Sequence, residues 1–315
     1  MATTPPLLPE ATRGPLIGEG PPVDSSLAGA PLRQSSLWRD AWRRYVRNQA
    51  AVAAGAAFIL LVLFCLFWPI VSPYDPNHVD FAIKSQPPSF EHPFGTDNFG
   101  RDMMTRTAVG GRVSMLIGFG ATAAILLIGV AYGAISGFVG GRLDNGMMRI
   151  LDTLYGLPGL PFAIIILAIF GNANTWTLMV ALAIASWFTT ARIVRGQIIT
   201  LKENDYVRAA KAVGARWFRV LGRHLLPNTL GVLIIAIFLE LPGVVLGEAF
   251  LSFIGLGISP PDASWGQMAQ EGRTVYRTSP HIIIVPSLAI ATLILSANFI
   301  ADGLRDALDP RTRET

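Results

Sequence analysis

Charged side chains are scarce in this chain of 315 residues. Only 15% of its residues are Asp, Glu, Lys or Arg, whereas 51% are hydrophobic. A soluble domain carries about 25% charged residues, so the composition excludes a cytosolic enzyme. Four stretches contain no charged residue, namely 50–71, 113–141, 153–191 and 278–301. Because a spanning helix needs about 20 mostly apolar residues, the pattern predicts an all-α polytopic membrane protein.

The chain is equally poor in residues that carry catalysis or hold metals. Cys65 is its only cysteine and lies in an apolar stretch, which excludes a disulfide scaffold. The sequence has neither a phosphate-binding Gly-x-x-x-x-Gly-Lys-Ser/Thr loop nor a His-Glu-x-x-His motif. Its histidines fall in loops or at span ends, at His78, His92, His224 and His281. We therefore predict no catalytic residue, no bound cofactor and no metal site.

The N-terminal region has no signal-peptide pattern. Residues 1–35 are polar and rich in proline, which predicts a disordered tail. Residues 36–48 alternate aromatic and basic positions at helical spacing. These positions are Trp38, Trp42 and Tyr45, interleaved with Arg39, Arg43, Arg44 and Arg47. The pattern predicts an amphipathic helix in contact with membrane lipid; an aromatic belt at the start of the first span is the alternative.

We predict six spanning helices, because the sequence Gly-Asn-Ala-Asn at 171–174 interrupts the longest charge-free stretch. Their predicted bounds are 50–71, 113–139, 148–170, 175–194, 229–250 and 281–300. A first outer loop (72–112) follows the first span, and the remaining spans form a core (113–303) that contains an inner loop at 195–227. A short tail (304–315) follows.

The distribution of Lys and Arg predicts the orientation of these spans. With both termini in the cytoplasm, 19 of the 25 basic residues lie inside and 6 outside, as the positive-inside rule requires. Arg101, Arg106 and Arg112 oppose the rule, because they fall on the outer side. The net charge of +4 is thus explained by membrane orientation, and no binding of nucleic acid is expected.

The inner loop carries an amphipathic pattern. Tyr206, Ala209, Ala210 and Val213 recur at i, i+3, i+4 and i+7, which predicts one apolar helical face. Gly214 can end this helix, and Pro227 precedes the fifth span. A short helix of this kind suits docking into a groove of a cytosolic protein; a helix lying on anionic lipid is the alternative.

Two glutamates enter the predicted fifth span, Glu240 near its middle and Glu248 toward its outer end. A charged group at membrane depth is costly and usually faces a cavity or a partner. We predict that both line a translocation path. A hydrogen-bonded structural glutamate is the alternative for Glu240.

The stretch 206–215, followed by Arg-His-Leu-Leu-Pro-Asn at 223–228, resembles the EAA loop of ABC importer permeases. Its matching positions are Ala209, Ala210, Gly214, Leu226 and Pro227. Arg208 replaces the usual glutamate and His224 the usual isoleucine, and the Arg-His-x-Leu-Pro-Asn ending is typical of the dipeptide/oligopeptide branch. Stretches 92–102, 248–266 and 301–311 are similar to the same branch. The chain is thus identified as resembling the second permease subunit of dipeptide/oligopeptide importers.

The resemblance implies a six-helix, type I (MetI-like) permease fold in a bacterial inner membrane. It implies that this chain is no enzyme and that Mg-ATP binds to separate subunits. The expected partners are a second homologous permease, two ATPase subunits and an extracytoplasmic solute-binding protein. The residues expected to couple the permease to the ATPase are Tyr206, Ala209, Ala210, Gly214, His224 and Pro227. An importer of nickel or another peptide-like solute such as glutathione stays open, as does a proton-coupled secondary transporter that uses Glu240 and Glu248.

Overall fold

A computed structural model describes residues 37–259 and 262–308 of the chain. The predicted tail 1–35, the end of the C-terminal tail and Pro260-Pro261 lie outside these ranges. Within them the regular structure is helical. The helices are α1 (Leu37–Arg47), α2 (Gln49–Val71), α3 (Met103–Val139), α4 (Gly141–Tyr155), α5 (Gly159–Phe170), α6 (Thr175–Lys202), α7 (Asp205–Ala212), α8 (Trp217–Val220), α9 (Leu226–Phe253), α10 (Trp265–Arg273) and α11 (His281–Leu308). A π-helical turn, Leu221–Leu225, joins α8 to α9.

The all-α, membrane-spanning architecture is confirmed, but the third predicted span is not one helix. Five helices in the described ranges are long and apolar enough to cross a membrane: α2, α3, α6, the continuous run 217–253 and α11. In place of the helix predicted at 148–170, α4 and α5 meet at an angle of 90°. The break contains Gly156 and Pro158, and a proline disfavours helical geometry in the residue before it.

Several helices extend beyond their predicted ends. α3 begins at Met103 rather than at 113, because the Asp102 side chain accepts a hydrogen bond from the Thr105 amide (2.8 Å) and caps the helix. α6 continues to Lys202 and α11 to Leu308. The outer loop 72–112 and the inner loop 195–227 are therefore both shorter than predicted. A prediction from charge-free stretches underestimates the length of a helix whose ends carry arginines that are paired within the protein.

The centre of the bundle is formed by α3 and α9. On one side α3 packs most extensively on α6, which also contacts α5, and on the other side α11 and α2 pack together against the central pair. Along the chain, α7 comes between α6 and α8, before α9 begins, and α10 comes after the end of α9. We refer to the two ends of the bundle as the α7 end and the α10 end.

Glycines allow α3 and α6 to approach closely. Gly129, Gly133 and Gly137 recur every four residues on α3, and a Cβ atom at each would lie within 3.0 Å of α6. At Gly133 it would lie 2.2 Å from the Ala191 carbonyl oxygen, which is backbone and cannot move aside. Small residues at this spacing are typical of membrane helix pairs. This close contact was not predicted, although the glycine spacing is visible in the sequence.

We expect Gly133→Ala to destabilise the protein by about 1–3 kcal/mol, because the added methyl group overpacks the contact of α3 with α6. Gly146→Ala is a matched control, because a Cβ atom there meets nothing within 4 Å. Both substitutions gain helix propensity, about 1 kcal/mol, so only the clash separates them. The midpoint of thermal unfolding in detergent measures the difference. Equal midpoints would contradict the close approach.

Candidate docking helix and membrane cavity

α7 is a short helix followed by a glycine turn. Gly214 has a φ of +79°, a conformation that favours glycine. The Ala215 amide donates to the Ala210 carbonyl oxygen across this turn (3.0 Å), which closes the helix end. The turn predicted at Gly214 is therefore present, and it directs the chain back toward α9.

α7 has two apolar faces rather than the single face predicted. Val207 is fully buried in a cluster with Ile198 and Leu225, and Ala210 packs against that cluster. Ala209 is exposed, as are Tyr206 (40%) and Val213 (85%). The four residues of the predicted face therefore separate, because Ala210 packs against the bundle whereas Ala209 and Val213 are exposed. Tyr206 is partly exposed beside the start of α9. Val207, which anchors the helix, was not among the predicted residues.

The π-helical turn holds α7 against the start of α9. Asn228 donates through Nδ2 to the carbonyl oxygen of His224 (2.6 Å) and to the hydroxyl of Tyr206 (3.4 Å). The rings of Tyr206 and His224 lie 6.4 Å apart. Pro227 lies in the first turn of α9. The structure thus brings three predicted coupling residues together, and Asn228, which was quoted only as part of a motif, joins them.

Arg208, which replaces the family's usual glutamate, pairs within the chain. Its guanidinium lies 3.2 Å from the carboxylate of Glu203, and both side chains are about two-thirds exposed. An exposed ion pair contributes little to stability, about 0–1 kcal/mol. The arginine is therefore available to a partner at small cost.

A cavity of about 580 Å³ lies between α6, α9 and α11, at the α7 end of the bundle. Glu240 is half-buried in its wall and accepts a hydrogen bond from the Thr190 hydroxyl (3.3 Å). Gln197, Asn228 and Arg305 line the same cavity. The predicted position of Glu240 at a cavity is thus consistent with the packing, and its part in translocation stays a prediction.

Glu248 has different surroundings, and its predicted place in a translocation path stays a prediction. The residue has no exposed surface. Its carboxylate accepts hydrogen bonds from Ser114 (3.0 Å) and Ser252 (2.7 Å). Ser114 also accepts a hydrogen bond from the amide of Trp265 (3.1 Å). The carboxylate therefore joins α3, α9 and α10 inside the packed protein.

The α10 end contains a buried network of ion pairs. Arg101 contacts Asp97 (2.6 Å) and Glu271 (3.0 Å), and Arg106 contacts the same two carboxylates (3.3 and 3.5 Å). Arg112, in α3, donates to the carbonyl oxygen of Cys65 (2.8 Å). The arginines that oppose the positive-inside rule are therefore bound within the protein. Among the described residues, no group of three or more His, Cys, Asp or Glu side chains could hold a metal ion.

These features define a class: a multi-pass, all-helical membrane protein that exposes a short helix and a turn at one end. Family comparison agrees with this class. Residues 129–314 match the model of the family described as "Binding-protein-dependent transport system inner membrane component". Residues 36–88 match the "N-terminal TM domain of oligopeptide transport permease C". The chain belongs to the family of binding-protein-dependent transport system inner membrane components, since the first match covers more than half of it.

Three curated relatives are similar over almost the whole chain. The oligopeptide transport system permease protein OppC of Haemophilus influenzae is 41% identical over 284 residues, which are 90% of this chain and 91% of the relative. The dipeptide transport system permease protein DppC of Bacillus subtilis is 43% identical and covers 88% and 87%. The glutathione transport system permease protein GsiD of Pectobacterium atrosepticum is 38% identical and covers 88% and 92%.

Proposed function

We propose that this chain is the permease subunit of an ATP-driven importer of dipeptides or oligopeptides. It forms half of the translocation pathway and couples it to ATPase subunits through α7. The single observation that carries the coupling role is the exposed apolar surface formed by Ala209 of α7 and by Val213, which directly follows α7, on a helix whose other face is anchored in the bundle. A helix that packs against the bundle can transmit the movement of a partner to the spanning helices.

The peptide solute is supported by the names of the relatives, which include oligopeptide and dipeptide permeases that align with about nine-tenths of the chain. Glutathione is the second candidate, because a permease named for glutathione is 38% identical. Glutathione is itself peptide-like, so the two candidates require similar chemistry in the pathway. Nickel stays an alternative without a supporting observation in the described residues.

In the proposed topology the α7 end faces the cytoplasm, where two ATPase subunits bind Mg-ATP and this chain binds no cofactor. A second, homologous permease completes the pathway. Both termini are cytoplasmic, and α1 lies against the inner membrane surface. The α10 end then faces the solute-binding protein outside, and there Phe81 (66% exposed) and Phe90 (fully exposed) offer aromatic contacts of the kind common at interfaces.

A proton-coupled secondary transporter is less well supported. That alternative uses Glu240 and Glu248 together, yet Glu248 is held by serines in the packed interior. Glu240 lines the cavity between α6, α9 and α11, and Glu248 is not part of that lining. One half-buried carboxylate is a weaker basis for proton coupling than a relay of titratable groups.

Isolation of the intact complex from detergent-solubilised membranes tests the proposal. We expect this chain to co-purify with a second permease and two ATPase subunits. Proteoliposomes that contain this complex should import trialanine when ATP and the loaded binding protein are supplied. Import driven by a proton gradient without ATP would contradict the proposal, and so would isolation of this chain alone under conditions that preserve such complexes.

A further inference from the structure

The cavity between α6, α9 and α11 contains two opposite charges that do not pair. Glu240 and Arg305 are the charged residues in its lining. Neither takes part in an ion pair with any residue in the described ranges. Glu240 is half-buried on α9, whereas Arg305 is exposed on α11. A carboxylate at membrane depth is costly unless a partner neutralises it, so the chemistry beside Glu240 favours a cationic group.

The two charges lie on different levels of the bundle. A Cβ atom at Gly231 of α9 would lie 3.7 Å from the side chain of Leu308 on α11, which places these residues at the same level. Arg305 precedes Leu308 by one turn and therefore lies about level with Ile234. Glu240 is six residues further along α9, which corresponds to about 9 Å at 1.5 Å per residue.

This difference in level between the two backbone positions is comparable with the length of a short peptide. An extended chain spans at most about 3.3–3.6 Å per residue, or about 10 Å for three residues. A peptide with free ends carries an ammonium at one end and a carboxylate at the other. Arginine is suited to carboxylates, which it can bind through two parallel hydrogen bonds. Gln197 and Asn228 in the same lining can donate to and accept from peptide groups.

We propose that this cavity is a binding site for zwitterionic peptides of two or three residues, in which Glu240 binds the terminal ammonium and Arg305 the terminal carboxylate. The proposal rests on the proposed function and adds a site and a length class to it. Asn228 connects the site to α7, because it lines the cavity and also donates to Tyr206 and His224. Movement of α7 would therefore disturb one wall of the site and favour release.

A reporter cysteine measures occupancy without the binding protein. Val232→Cys places a thiol in the cavity wall, and the native Cys65 is fully buried. Labelling of the parent complex measures the background from the other subunits. The intact complex in nanodiscs is treated with a soluble maleimide and trialanine. We expect bound peptide to slow labelling by the factor 1 + [L]/Kd, about 11-fold at ten times Kd.

Peptides that are capped at one end show which terminus binds to Glu240 and which binds to Arg305. We expect N-acetyl-trialanine and trialanine amide each to bind about tenfold more weakly, because each loses one charge-assisted contact. Glu240→Gln should remove the preference for the free amine but keep that for the free carboxylate. Arg305→Gln should do the reverse. This crossed pattern distinguishes binding roles from a general loss of structure.

Equal protection of the reporter by free and capped peptides would overturn the assignment of the two termini to Glu240 and Arg305. The same loss of binding for all peptides in both variants would also overturn it. Import of trialanine by the wild-type complex without any protection of the reporter would overturn the site and leave the proposed function intact. Import is measured separately with the binding protein, so failure of the proposed function is recognised on its own.

Discussion

We expect Ala209→Glu to reduce peptide import at least about 30-fold while the protein still inserts into the membrane. Ala209 is exposed on the face of α7 that does not contact the bundle, so the glutamate has room in the isolated chain. In the proposed complex the same side chain would be buried against an ATPase subunit. An unpaired charge at the centre of an interface costs about 2 kcal/mol or more, which is a factor of about 30.

The measurement compares import with ATP hydrolysis in proteoliposomes and adds co-purification of the ATPase subunits. Ala209→Ser is the matched control, because it adds one small polar atom and no charge, and it should retain most of the import. The Val207→Asp variant should instead release α7 from the bundle, because Val207 is fully buried and the substitution removes its apolar contacts. Wild-type import by Ala209→Glu would contradict docking through this face and favour a helix that lies on lipid.

The architecture was predictable to the extent that it depends on desolvation. A helix in a membrane must be apolar over most of its length, so charge-free stretches located α2 and the first residues of α6 and α11 well. The same reasoning fails where charges are paired inside the protein. Arg106 lies within α3 and Arg195 within α6, where Arg195 forms a bidentate ion pair with Asp144 (both contacts 2.6 Å). Sequence alone does not reveal such partners, because they are distant along the chain.

The orientation of α7 was harder to predict than its existence. Its apolar residues occupy more than one face, and periodicity does not tell which face meets the bundle. That choice depends on tertiary contacts, here those of Val207 with Ile198 and Leu225. The two glutamates of α9 also show that sequence does not reveal the tertiary contacts of a residue. They have similar sequence surroundings, but three serines lie near Glu248, whereas Glu240 meets a cavity.

We expect Asp97→Ala to destabilise the protein by about 3–5 kcal/mol, the usual cost of removing one member of a buried ion pair. Asp97 is 1% exposed and contacts both Arg101 and Arg106. It also accepts hydrogen bonds from the amides of Phe99 (2.8 Å) and Arg101 (3.0 Å). Without it, two buried guanidinium groups share Glu271 alone, and the loop that leads into α3 loses its internal support.

Thermal unfolding of the purified protein measures this effect, with an expected fall in midpoint on the order of 10 °C. Glu91→Ala is the control, because Glu91 lies in the same outer loop and is exposed, so its loss removes the same charge and should change stability by less than about 0.5 kcal/mol. Arg106 is deeply buried, and Arg106→Met should therefore partly restore the stability of Asp97→Ala, since it removes one of the two cations that the substitution leaves unpaired. An Asp97→Ala protein as stable as wild type would mean that water or Glu271 compensates for the lost carboxylate, and the network would then not be what holds α3 to α10.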